Sequence, residues 1–481
     1  MSYTSSFARG FIERLSKQHQ YGELPRFDVS DASDRDLLVS RSTPQSFELG
    51  TGASIFTNTL IPAITAAQSE VIFVTCFWAP SKTLSALNDA LTKLAAHRCR
   101  SGLVSPPLTV RICFSSRSLF QKLLHPQSRD GYVYPPSSWQ KDLGLPDPAL
   151  LQGANIDLQV KSLFFLPFSV MHPKFVIIDR RRAFVPSCNV SWEAWLEGCV
   201  EVTGDAVNSL MAFYSRTWDA SLDFRKTLEP PPEGSHLFDA RLSDLSVIAS
   251  SARYHTPLLH LSSPLPTFIL PSSHHRNPRF RPFPWQKAPK PPGTPLNVAL
   301  LEQFDQAQRC IYMQTPNLTA EPVITALLEV LERGVDVTIV TSRNMMLFEQ
   351  LVTAGTTTSW CIRSLMRRYN RLKRRPRFPD PEMNRSELGR LRISYFHSRM
   401  LSSTPGPTES DAEEPVHSHL KLTVIDDEHT ILGSGNMDRA SWFTSQELGI
   451  LFHDGHFAQE IMTAVRSVLD GRLDLVFDSD N

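Results

Sequence analysis

His419-Leu420-Lys421-Leu422-Thr423-Val424-Ile425-Asp426, closed by Gly433-Ser434-Gly435-Asn436, decides the reading of this chain because it is spelled twice. The earlier copy is His172-Pro173-Lys174-Phe175-Val176-Ile177-Ile178-Asp179, closed by Pro186-Ser187-Cys188-Asn189. In each copy His and Lys are two apart, Asp follows Lys by five, and Ser and Asn are again two apart. Side chains alternate across a strand, so a strand over 172–179 puts His172 and Lys174 on one face and Asp179 on the other. His419, Lys421 and Asp426 repeat that parity, and Ser187 with Asn189, or Ser434 with Asn436, share a face by the same count. A single match is weak, since a lone histidine on a strand is usually a packed residue. Two matches with the same closing pair point to one active centre built from two halves.

The surrounding elements repeat as well. The pattern predicts a helix over 53–67, a buried strand over 71–77, a helix over 84–96 and strands over 108–114 and 156–165. After the first motif the order returns: helix 298–307, strand 310–314, helix 320–332, and strands 335–342 and 391–396. Gln121–Asp147 reads as a loop, and Ser402–Pro415 as an insertion. Strands alternating with helices predict an α/β fold of two similar α/β/α sandwich domains, arising by internal duplication and facing each other across one site. The expected boundaries are an N-terminal extension 1–45, a first domain 46–227, a Pro-rich connector 228–292 and a second domain 293–481. Phe7, Phe11, Ile12 and Leu15 lie at helical spacing, as in a docking helix or an organelle-targeting helix.

At 481 residues the chain is long enough for two or three cored domains. Lys+Arg and Asp+Glu both count 49, which weighs against binding nucleic acid through overall charge. The seven cysteines are odd in number, scattered and free of any CxxC pair, favouring a reducing compartment over a disulfide framework or zinc site. The expected location is the cytoplasm, with membrane association or a mitochondrial address as the alternatives. No run of 18 apolar residues predicts a transmembrane helix.

Two imidazoles, two ammonium groups, two hydroxyls and two amides on facing surfaces suit a phosphodiester. One imidazole can attack phosphorus while the other protonates the leaving oxygen and then activates an acceptor. The lysines, amides and hydroxyls can hold the non-bridging oxygens. Ser187, Asn189, Ser434 and Asn436 are therefore the expected phosphate-binding residues, and His172, Lys174, Asp179, His419, Lys421 and Asp426 the catalytic motif, with both Asp facing away as strand anchors. No carboxylate cluster with metal-ligand spacing accompanies the motifs, so neither a metal nor another cofactor is expected in the chemistry.

These residues resemble the phospholipase D superfamily, whose signature is a doubled His-x-Lys-x4-Asp motif. The resemblance covers about Ser46–Phe224 and Gly293–Asp478. It implies two α/β/α domains meeting at one site, a covalent phosphohistidine intermediate and no metal requirement. It also implies His172 as nucleophile, His419 as general acid/base, and a glutamate after each Ser/Asn pair that orients an imidazole: Glu447 in the second half, Glu197 in the first, with Glu201 competing. Pro186 stands where the second copy has Gly433, a departure expected to change the local backbone and not the chemistry.

The resemblance does not name the substrate. The apolar run Leu163–Met171 and the aromatics Trp192, Trp195, Trp442 and Phe443 read either as core or as a lipid-facing entrance. The run Arg363, Arg367, Arg368, Arg371, Lys373, Arg374, Arg375 and Arg377 alternates with Ile362, Leu365, Met366, Tyr369 and Leu372. It predicts an amphipathic basic helix: a solvated face, or a contact for anionic membrane or nucleic acid. The favoured expectation is a monomeric enzyme that cleaves a glycerophospholipid, or transfers its phosphatidyl group, with peripheral membrane contact. A metal-independent nuclease is the alternative, and a non-catalytic scaffold that keeps the fold the third.

Overall fold

The computed structural model describes residues 6–18, 27, 31–100, 107–118, 121, 130–165, 169–226, 254–257, 263–274, 289–374, 387–399 and 414–480. The first half runs through β1 (Val39–Thr51), β2 (Glu70–Phe77), β3 (Leu108–Ser116), β4 (Ile156–Ser162), β5 (Phe175–Ile178), β6 (Arg182–Pro186) and β7 (Trp195–Gly204). The second runs through β8 (Leu265–Ser272), β9 (Cys310–Thr315), β10 (Asp336–Ser342), β11 (Leu391–Phe396), β12 (Leu422–Ile425), β13 (His429–Gly433), β14 (Glu447–His453) and β15 (Leu473–Asp478).

Runs such as Val71–Val74 are apolar on both faces and fit only the middle of a helix-covered sheet. Accordingly β2, β3 and β4 pair in parallel, and β2 pairs antiparallel with β5, which continues through β6 to β7. The second half repeats this: β9, β10 and β11 are parallel, and β9 pairs antiparallel with β12, followed by β13 and β14. β1 joins β7, β8 joins β14, and β1 and β8 pair antiparallel with each other. One mixed sheet thus crosses both halves, with its pseudo-symmetric centre between β1 and β8.

Three expected boundaries change. Residues 39–45, assigned to an N-terminal extension, lie in the central strand β1. Their polar run hid a strand because its hydroxyls find partners inside: Ser42 Oγ lies 2.6 Å from Thr267 Oγ1, and Ser40 Oγ donates to Thr267 O at 3.2 Å. The register shift beside Pro44 accommodates a residue that cannot donate to a ladder. The connector, likewise, contains β8 and the short strand Tyr254–Pro257, both paired with β1. The expected loop 121–147 contains the helix Trp139–Leu143, which buries Trp139 and Leu143.

The helix Ser6–Ser16 docks on the second half. Phe7 meets Phe268 edge-on at 5.1 Å between centroids, and Arg14 pairs with Glu302 at 2.6 Å. The expected helix over 53–67 is one helical stretch, 52–65, with a π-helical turn over Phe56–Leu60. Leu258–Leu261, residues 402–413 of the insertion, and Arg375 and Arg377 fall outside the described residues. No helix among the described residues is long and apolar enough to cross a membrane.

Candidate active site

Only Phe175–Ile178 and Leu422–Ile425 form the ladders of the two motifs; each His-x-Lys lies just before its strand. Each His-bearing segment is held by the glutamate-bearing strand of the opposite half. His419 N–H donates to Leu196 O at 2.8 Å, and His172 N–H donates to Gln446 O at 3.0 Å. Leu196 and Gln446 each precede the glutamate by one residue, so this register delivers Glu197 to His419 and Glu447 to His172.

The side chains complete the exchange. His419 Nδ1 lies 2.7 Å from Glu197 Oε1, and His172 Nδ1 lies 2.8 Å from Glu447 Oε2. With Nδ1–H donated to a carboxylate, Nε2 carries the reactive lone pair of each neutral ring. Glu201 is engaged elsewhere, with Arg182 at 2.7 Å, which excludes it as the orienting residue.

Both lysines are buried and donate to the carbonyl of their own histidine, Lys174 Nζ to His172 O at 2.9 Å and Lys421 Nζ to His419 O at 2.7 Å. Each histidine feels both ammonium groups, which makes this one electrostatic cluster. Burial first, then the lysine charges, push His419 down to about 3 against the pull of Glu197. His172 is lowered too, by burial and then by Lys174 and Lys421, with Glu447 opposing. Burial also brings Lys421 down to about 7, with the Lys174 charge adding to it and Glu197 opposing. Burial would raise Glu197, but His419, Lys421 and the Ser187 hydroxyl outweigh it and keep the carboxylate ionised.

The serines do not match their expected role. Ser187 Oγ donates to Glu197 and accepts from Gly198 N; Ser434 Oγ donates to Glu447 Oε2 at 2.5 Å and accepts from Leu448 N. A hydroxyl has one proton to give, and in this arrangement both serines give it to a carboxylate. Ser441 Oγ adds a bond to Glu447 Oε1 at 2.6 Å, while Ser191 takes the Thr83 hydroxyl on its backbone carbonyl. Asn189 Oδ1 accepts from Phe77 N at 3.4 Å, and Asn436 Nδ2 donates to Asp438 Oδ2 at 3.0 Å. Asp438, which the sequence reading missed, is half-buried; loss of solvent pushes its carboxyl up, and its charge reaches His172. Its signal was its position as the cap of the helix Arg439–Phe443.

The motif aspartates lie outside the cluster. Asp179 accepts from the backbone N–H groups of Gln68, Ser69 and Glu70, which begin β2. Asp426 does the same for Gln308, Arg309 and Cys310 at the start of β9. Both carboxylates hold the starts of strands and stand apart from the imidazole–ammonium cluster. The exchange of Gly433 for Pro186 leaves the pairing intact: Ser187 N reaches Gly198 O at 2.8 Å and Ser434 N reaches Leu448 O at 2.9 Å. Gly433 itself has φ +145, where a side chain would run into Leu448 O.

Of the expected entrance, Leu163, Phe164, Met171, Trp442 and Phe443 are buried core, and residues 166–168 lie outside the described set. Phe165 stacks on His274 at 4.1 Å. Trp195 packs on the His419 ring at 4.8 Å, and Trp192 is 61% exposed.

An α/β scaffold that brings two carboxylate-oriented imidazoles and two buried ammonium groups together defines the class as a phosphoryl- or phosphatidyl-transfer enzyme. Residues 300–469 match the family model described as the cardiolipin synthase, PLD-like domain. Residues 300–469 thus carry a phospholipase D-like domain, and the chain is a phospholipase D-like phosphodiesterase, hydrolase or phosphatidyltransferase. Among solved structures it is similar to phosphatidylserine synthase of Haemophilus influenzae Rd KW20, with 14% identity, TM-score 0.53, and 98% of this chain and 92% of that one covered. It is also similar to Nuc, a phospholipase D family member from Salmonella typhimurium, with 18% identity, TM-score 0.24, and 37% of this chain and 88% of that one covered. No curated relative matches the sequence.

Proposed function

We propose that this enzyme cleaves a glycerophospholipid phosphodiester through a phosphohistidine, passing the phosphatidyl group to water or an alcohol. The crossed pairing of His172 with Glu447 and His419 with Glu197 carries the reading, because it leaves both Nε2 atoms for chemistry. His419 enters this step as the imidazolium, a form that the bound phosphodiester anion and Glu197 favour; His172 Nε2 attacks phosphorus, the P–O bond to the leaving group breaks, and His419 gives that oxygen its Nε2 proton. His419 then takes the proton of the incoming water or alcohol as its oxygen attacks phosphorus and the P–N bond breaks. His172 as nucleophile is supported by access: its side chain is 14% exposed against 3% for His419. Lys174, Lys421 and the amide of Asn189 hold the non-bridging oxygens. These steps use no metal ion, and since one chain supplies both halves of the site, a monomer suffices.

The cardiolipin synthase description of the matching family supports a lipid substrate. The apolar approach to His172 adds little, because Leu163, Phe164 and Met171 are core. The basic helix favours one alternative, a metal-independent nuclease. Purified enzyme and a His172→Ala variant, both in EDTA, are offered phospholipid vesicles and labelled single-stranded nucleic acid. Phosphatidate or a transphosphatidylation product that vanishes in the variant is expected. Cleavage of nucleic acid alone overturns the lipid reading. Mass spectrometry of trapped enzyme is expected to find phosphate on His172, and label on His419 reverses the two roles.

A further inference from the structure

The helix Leu347–Ala354 is turned inside out. Its one buried side chain is polar: Gln350 donates to Asn317 Oδ1 at 2.8 Å and to Met345 O at 2.5 Å, and accepts from Thr358 N at 2.6 Å. Its apolar side chains face outward, with Leu347 38%, Phe348 82%, Leu351 46% and Val352 42% exposed. A helix serving only the fold would bury these four and expose the glutamine. Trp360, 55% exposed, opens the next helix, Thr358–Lys373. That helix buries Ile362, Leu365 and Tyr369, carries no acidic residue, and exposes Arg363, Arg367, Arg371 and Arg374 along one stripe. Arg343 is exposed just before the patch, and Glu349 is its one acidic residue.

The patch adjoins the active site. β10 ends at Ser342, whose hydroxyl donates to Ser418 O and accepts from Ser418 N, next to His419. The inverted helix follows within five residues and packs on Arg439–Phe443, whose Ser441 holds Glu447. Trp192 is exposed close after Asn189 in the other half.

We infer that Leu347–Ala354, with Trp360 and the arginine stripe behind it, is a docking element for the surface of an anionic phospholipid bilayer. Phe348, Leu351 and Val352 enter the acyl boundary, Trp360 sits at headgroup level, and the arginines meet lipid phosphates. The site then meets a phosphodiester that remains in its membrane. The inference rests on the lipid reading for its purpose, but binding can be measured without turnover.

The test uses the full chain with Phe348→Asp/Leu351→Asp, the milder Phe348→Ser, and Arg363→Gln/Arg367→Gln/Arg371→Gln. Sedimentation measures binding to phosphatidylcholine vesicles with and without phosphatidylglycerol. Wild type and His172→Ala are expected to bind anionic vesicles alike. The Asp pair is expected to lose at least about tenfold in affinity and the serine variant less, and the arginine variant to lose its preference for phosphatidylglycerol. Melting temperature, and hydrolysis of the soluble phosphodiester bis(4-nitrophenyl) phosphate, are expected to stay at wild-type levels in the Phe348 variants. Vesicle binding that survives in the Asp pair overturns the inference. So does a wild-type dimer that the Asp pair dissociates, or an arginine stripe that binds single-stranded nucleic acid, when no vesicle binding is seen. Binding without any lipid turnover leaves docking standing and removes the lipid reaction instead.

Discussion

Glu447 Oε2 lies 2.8 Å from Nδ1 of His172, a residue 275 positions earlier and in the opposite half of the molecule. Glu197 makes the reciprocal contact with His419 across 222 positions. Neither half can orient its own imidazole, so the catalytic state of each histidine depends on the halves being joined in register through β1 and β8.

Glu447→Gln and Glu197→Gln keep the shape and remove the charge that steadies an imidazolium. Each is expected to lower kcat by about 10²–10⁴-fold, the usual worth of positioned acid–base catalysis. Trapping should separate the two: Glu447→Gln suppresses phosphate on His172, and Glu197→Gln slows resolution so that phosphate on His172 accumulates. The opposite pattern in mass spectra would contradict the crossed assignment.

The repeated His and Lys spacing was enough to find the groups that the fold brings into one cluster, and strand parity sent Asp179 and Asp426 to the far side. The task of Ser187 and Ser434 was hidden, because it depends on the turn that lays each serine against its glutamate strand. The crossed pairing was hidden for a longer-range reason, since it comes from contacts between halves that no local pattern encodes. The central strand β1 escaped because its polar hydroxyls are satisfied by Thr267, so no apolar alternation marks it.

Lys421, brought down to about 7 by burial, predicts the pH profile. In the free enzyme its ammonium is lost as pH rises through about 7, so kcat/KM is expected to fall above that point. A bound phosphodiester anion favours the charged form, so kcat is expected to hold to higher pH before falling. Initial rates between pH 5 and 10 check this, and a kcat/KM flat to pH 9 would remove Lys421 from the anion site.

Lys421→Met is expected to abolish activity and raise stability. The folded pKa of about 7 lies below the ordinary lysine value of 10.5, so folding penalises the ammonium form. That penalty is complete below pH 7 and gone above about 10.5. The variant's gain in melting temperature is therefore largest at pH 7 and below, and shrinks toward pH 10. A gain independent of pH would trace to packing instead of charge.

Asp179 separates support from chemistry. Its carboxylate takes three backbone N–H groups, and its φ of +49 is one that Asp and Asn tolerate better than Ala. Asp179→Ala leaves those donors unsatisfied and strains the turn, for an expected loss of about 2–4 kcal/mol in stability. Asp179→Asn keeps one acceptor and the tolerated backbone, so it should lose less. Because the carboxylate stands outside the cluster of His172 and Lys174, kcat of the folded fraction at low temperature is expected to stay within about threefold of wild type, inside the range of a small repositioning. Denaturant titration with parallel kinetics checks both quantities. A variant that melts like wild type yet loses several orders of magnitude in kcat would return Asp179 to the catalytic set.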